Sequence, residues 1–165
     1  MPIAIPHRLR YPARGFSFIE LLASLAILAT LAAVALPLAE TTVKRQKEYA
    51  LRRALRDIRQ GIDAYKQAVE AGQVASGPDQ SGYPATLETL VTGIDSKTQP
   101  GRRMVFLRRL PRDPFAPDPT AAPAASWGKR AYAAPFDTPR EGDDVFDVYS
   151  LSDQVGLNGL AYREW

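Results

Sequence analysis

The chain has 165 residues, room for one modest domain beside a membrane segment. It has no cysteine and a single histidine, His7, which excludes disulfides and thiolate chemistry and leaves the body without a histidine for triads or metal ligation. Three of its 21 basic residues, Arg8, Arg10 and Arg14, lie in the first 15 positions without an acid, and the remaining 18 balance 18 acidic residues, so the body lacks the positive excess that nucleic-acid binding requires.

The first predicted element follows that basic leader. RGFSFIELLASLAILATLAAVALP runs from Arg14 to Pro37, and Leu21–Ala39 holds no charge and only Ser24 and Thr30 as polar interruptions. About 20 apolar residues match a hydrocarbon core about 30 Å thick. The leading arginines predict a cytoplasmic N-terminus and an outward-facing body, although Lys44, Arg45 and Lys47 pull the other way. Glu20 breaks the apolar run near its mouth. A charge at the centre of a membrane helix costs roughly 2.5–3.5 kcal/mol on insertion scales, and ionisable residues in such segments are functional candidates. A signal anchor, a signal peptide cleaved near Ala33-Val34-Ala35, and cleavage after Gly15 ahead of the run are the three readings; the first two leave Glu20 without a purpose.

Beyond Pro37 the period changes. Leu51, Leu55, Ile58, Ile62, Tyr65 and Val69 recur every three or four residues, the stripe of an amphipathic helix. Glu48/Arg52, Arg53/Asp57, Arg59/Asp63 and Lys66/Glu70 are opposite charges four apart that support it. One helix from about Phe16 to Ala71 is expected, loosened or kinked at Pro37 and ending at Gly72. Its outer half needs a sheet to cover the stripe.

GQVASGPDQSG (72–82) reads as loop and TLETLV after Pro84 as a short helix with Leu87, Leu90 and Val91 inward. MVFLRRL (104–110) is a strand or a short helix, and Arg108 and Arg109 in it are either subunit contacts or a solvated pair. The stretch with five prolines between Pro111 and Pro123 is a loop, packed or flexible. KRAYAA (129–134) and DVFDVYS (144–150) are strand candidates joined by a turn. Asp143 and Asp144 form an acidic tip rather than a catalytic pair, since no nucleophile–base arrangement accompanies them. Trp127, Tyr132, Phe146, Tyr149 and Trp165 read chiefly as core.

GFSFIE followed by a long apolar segment with proline resembles the N-terminus of type IV pilins and pseudopilins. The resemblance implies cleavage by a prepilin peptidase between Gly15 and Phe16, N-methylation of Phe16, and assembly roles for Glu20 and Pro37. YPATLETLV, FLRRLPRDPFAPD, WGKRAYAAP and FDVYS, in that order, resemble the major, G-type pseudopilin of type II secretion (general secretion pathway protein G-like). The implied fold is α+β, a long N-terminal helix packed on a small antiparallel sheet. The implied organisation is a leader over 1–15, a transmembrane and filament-core helix over 16–38 and a periplasmic head over 39–165. The implied function is structural, not enzymatic: an inner-membrane subunit that polymerises with other pseudopilins on the secretion system's assembly platform, with a type IV pilin of a surface fibre as the alternative. No cofactor is required. The family's calcium loop would fall on Leu151, Ser152 and Asp153 in LSDQVGLNGLAYREW, although its later acidic pair is missing here and Leu160 and Ala161 stand near that place. The other reading of this segment is a turn with Leu157, Leu160, Tyr162 and Trp165 packed inward.

Overall fold

The computed structural model describes residues 15–77 and 80–165. The basic leader, residues 1–14, lies outside the described residues. Contacts divide the chain into two compact units, Met1–Thr41 and Thr42–Trp165. One helix, α1, spans Phe18–Glu70, close to the expected Phe16–Ala71. It continues through position 37, where proline leaves the Ala33 carbonyl without its usual donor. Gly72, at φ 71°, follows the helix in the left-handed region where glycine is favoured.

In the second unit the predicted stripe is the core. Leu51, Leu55, Ile58, Ile62 and Tyr65 are buried, and Val69 packs against them half-buried. The short helix α2, Leu87–Thr92, supplies the buried Leu87 and Leu90, whereas Val91 is only half-buried. Each fully buried aliphatic side chain contributes about 1.5–3 kcal/mol, so the stripe is what holds the head to its helix.

The sheet is smaller than the sequence implies. It consists of two antiparallel pairs: β1 (Ile94–Asp95) with β2 (Arg103–Met104), and β3 (Trp127–Arg130) with β4 (Asp147–Ser150). The expected strand over 129–134 begins earlier, at Trp127, and ends at Arg130, because Ala131–Ala134 turn away. In 104–110 only Met104 pairs as a strand; Phe106, Leu107 and Leu110 reach the core from irregular backbone, and Arg108 and Arg109 are exposed. Gly128 faces Tyr149 across the β3–β4 pair, where a Cβ would stand 2.4 Å from the ring. The aromatic ring takes the space that a side chain would otherwise fill.

The proline-rich loop is packed. Asp113 and Phe115 are buried within it, and it ends in a 3-10 turn at Pro123–Ser126. Asp113 accepts from the Phe115 amide at 2.8 Å and from the Ser150 hydroxyl at 2.6 Å, while its own amide donates to Ser126 Oγ at 3.1 Å. Trp127, whose Nε1 donates to the Pro111 carbonyl at 2.9 Å, is buried, but Tyr132 is exposed, stacks on Tyr83 and meets Phe146 edge-on at the surface.

Ile58 is fully buried, so Ile58→Ala should lower the unfolding free energy by about 2–5 kcal/mol. Leu25→Ala, at an exposed position of the first unit, should leave the head's denaturant midpoint unchanged. Equal losses for the two in chemical denaturation would contradict this account of the core.

Candidate functional site

The N-terminal segment is built on a helix start. Ser17-Phe18-Ile19-Glu20 has the spacing of a capping box, and the Ser17 amide donates to Glu20 Oε2 at 3.4 Å. A carboxylate in the first turn also meets the positive end of the helix dipole. The S-x-x-E spacing in the sequence carries this local role. Gly15 precedes the helix with nothing within 4 Å of where a Cβ would sit. Phe16 beside it is 76% exposed.

Past Glu20 the helix is apolar around its described circumference. Leu21, Leu22, Leu25, Ile27, Leu28 and Leu31 are all exposed. An 18-residue window of α1 has a mean hydropathy of 2.4 and none of it is buried, so by length and composition the helix can cross a membrane. The two hydroxyls of the apolar run are bonded within the helix: Ser24 donates to the Glu20 carbonyl at 2.7 Å and Thr30 to the Ile27 carbonyl at 2.8 Å. Neither needs water, as a hydrocarbon surround demands. Pro37 lies inside the same helix.

In the head, charged groups fix the C-terminal segment to α1. Glu48 is 8% exposed and accepts from the Leu157 amide at 2.7 Å and the Tyr162 hydroxyl at 3.0 Å. Lys44 Nζ donates to the Val155 carbonyl at 2.8 Å. Arg59 pairs with Asp147 at 2.8 Å and donates to the Val148 and Trp165 carbonyl oxygens, each at 3.1 Å. Arg130 reaches the second Asp147 oxygen at 3.3 Å. Two of the four expected helix pairs form, Arg53–Asp57 and Lys66–Glu70. Glu48 and Arg59 instead turn to partners about a hundred residues away, where burial makes a polar bond worth more than on the surface.

These contacts occupy the segment that calcium would use. Asp153 pairs with Arg163, the Ser152 hydroxyl accepts from the Gln154 amide and Leu151 is exposed. Asp143 is exposed and Asp144 accepts from the Tyr132 amide at 2.8 Å. Among the described residues no three His, Cys, Asp or Glu side chains gather where they could hold a metal ion. Tyr162 is fully buried and Trp165 packs against the core, but Leu157 and Leu160 are exposed rather than inward.

Residues 10–36 match the prokaryotic N-terminal methylation motif. The match covers the segment containing Gly15, Phe16 and Glu20 and supports a type IV pilin-like class, whose members are structural subunits. No curated protein and no solved structure matches the chain.

Two outcomes follow in the head. Burial, then the hydrogen bond and charge of Glu48, push the Tyr162 phenol up from 10.0 to about 12. A raised value favours the neutral phenol in the folded state, so its stabilisation is whole below pH 10 and is lost as pH climbs to about 12. Alkaline denaturation should show a shallower decline over this range in Tyr162→Phe than in the parent; identical slopes would contradict the assignment. Separately, millimolar calcium is expected to leave the melting temperature unchanged, and a saturable rise would establish calcium binding at the loop of Leu151, Ser152 and Asp153.

Proposed function

We propose that this chain is a structural subunit of a type II secretion pseudopilus, of the major, G-type kind. The observation that carries the reading is an unburied apolar helix whose first half lies within a methylation-motif match, with one carboxylate at its mouth. A prepilin peptidase would cut between Gly15 and Phe16 and methylate the Phe16 amine. That amine stays protonatable and carries a cation into an apolar surround. Glu20 of an adjacent copy would pair with it, and the low dielectric there makes the attraction stronger than in water. Removing either partner would strand the other charge, at a cost of about 3–5 kcal/mol. The pairing would set the axial register of one subunit on the next.

In this reading the subunit waits in the inner membrane with its N-terminus cytoplasmic and its head periplasmic. It is then drawn by the assembly platform into a periplasmic filament, where apolar helices bundle at the centre and heads form the wall. Growth of that filament would push exported protein through an outer-membrane channel, a mechanical task without cofactor. A surface-fibre pilin is the second reading. Pilins of that kind commonly close a C-terminal disulfide, and the absence of cysteine favours the pseudopilus.

Glu20→Gln separates the two roles of this residue. Glutamine keeps the capping hydrogen bond and removes the charge. Filament assembly and protein secretion in the native host should be lost with Glu20→Gln as fully as with Glu20→Ala, while surface fibres are absent in parent and variants alike. Normal assembly of Glu20→Gln would reduce Glu20 to a helix cap, and loss of surface fibres with secretion intact would favour the pilin.

A further inference from the structure

The outward face of α1 at the start of the head carries a basic surface that the head itself leaves unbalanced. Arg45, Tyr49, Arg52 and Arg56 recur at spacings of four, three and four residues, which places them on one side of the helix. All four are exposed, Tyr49 at 71%. Leu51, Leu55 and Ile58 occupy the other side and are buried. The only acid between positions 45 and 56 is Glu48, and it is turned inward to Leu157 and Tyr162. Arg52 lies over the Trp165 ring at 4.3 Å, a contact that leaves its charge in place. Arg45 and Arg56 have no ion pair or hydrogen-bond partner among the described residues.

A surface of opposite sign lies on the same unit. The loop DTPREGDD, residues 137–144 between β3 and β4, holds four acids against one arginine. Glu141 pairs with Lys129 at 3.4 Å and Asp144 accepts from the Tyr132 amide, but Asp143 is exposed with no partner among the described residues. The loop's place along α1 is fixed by aromatic contacts. Tyr132 stacks on Tyr83 at 5.5 Å, and Lys66 sits over the Tyr83 ring at 5.2 Å. The acidic loop therefore stands near the level of residue 66, about 15 Å along the helix axis from Arg56.

We propose that the basic face formed by Arg45, Arg52 and Arg56 receives the acidic loop 137–144 of a second copy of this chain. The two surfaces differ, so the contact is heterologous: each bound copy still offers one of each, and the association repeats instead of closing into a dimer. Guanidinium forks suit exposed carboxylates, and rim charges of this kind give orientation and partner choice more than raw affinity. The inference rests on the filament-subunit reading and adds to it a contact between heads, independent of Glu20.

The full chain in bacterial membranes provides the test, because it has no native thiol. Co-expressed Arg56→Cys and Asp143→Cys chains, one of them tagged, should give an oxidised dimer containing both chains, absent when either is expressed alone. Combined Arg45→Glu and Arg56→Glu should reduce assembly about tenfold or more, since like charges then meet. Adding Asp143→Arg to that chain should recover it, and lysine at 45 and 56 should leave it near the parent level. If the mixed dimer never forms while the parent assembles, the head contact is wrong and the filament reading stands. If the parent assembles under no condition, both fall. If the glutamate variant assembles normally but no longer binds phosphatidylglycerol vesicles, the face serves a lipid surface and the inference is overturned.

Discussion

An apolar stripe on a helix is stable in water only where something covers it, and α1 meets that demand over part of its length. From Leu51 to Val69 the stripe lies under the head, and α2, the β3–β4 pair and the proline-rich loop all contribute side chains to the same core. From Phe18 to Leu31, and again at Leu38, the large apolar side chains of the helix are exposed. An exposed apolar surface of that extent marks a membrane or partner-binding segment.

Polar groups complete what the stripe begins. The two strand pairs are too short to stand alone, since isolated hairpins are marginal in water. Asp113 ties the proline-rich loop to β4 and to the 3-10 turn before β3, and Asp147 joins β4 to α1 and β3 through two arginines. Glu48 anchors the C-terminal segment from the helix side. These groups bring charge into the interior only where each is met by donors, the condition under which buried polar groups are tolerated. Turning Glu48 inward has a consequence outside: it leaves the arginines of that turn without a local acid.

Much of this was legible in the sequence because it is periodic. The spacing of Leu51, Leu55, Ile58, Ile62 and Tyr65 fixed which face is buried, and the unbroken run after Glu20 marked the membrane-length segment. The short helix at 87–92 was legible from its apolar residues after Pro84. What periodicity does not encode was missed. Glu48 and Arg59 satisfy an i,i+4 pattern locally, yet their partners at 147–165 win because those contacts are less solvated. Strand β3 lies two residues earlier than its composition implied, since Gly128 is a poor strand former that is held by Tyr149 opposite it. Leu157 and Leu160 look like core by type, but Val155 and Ala161 bridge in a tight turn that leaves both exposed. At the N-terminus the family motif made Gly15, Phe16 and Glu20 stand out, while the capping hydrogen bond of Glu20 was hidden in the same six residues.

The proposed mechanism needs the apolar helix to remain on the mature chain with a cationic terminus at Phe16. The intact mass of protein extracted from the membrane of its native host tests that most directly. A mass for a chain beginning at Phe16 with one added methyl group is the predicted result. A chain beginning at Leu36, as cleavage after Ala33-Val34-Ala35 would leave, would contradict it.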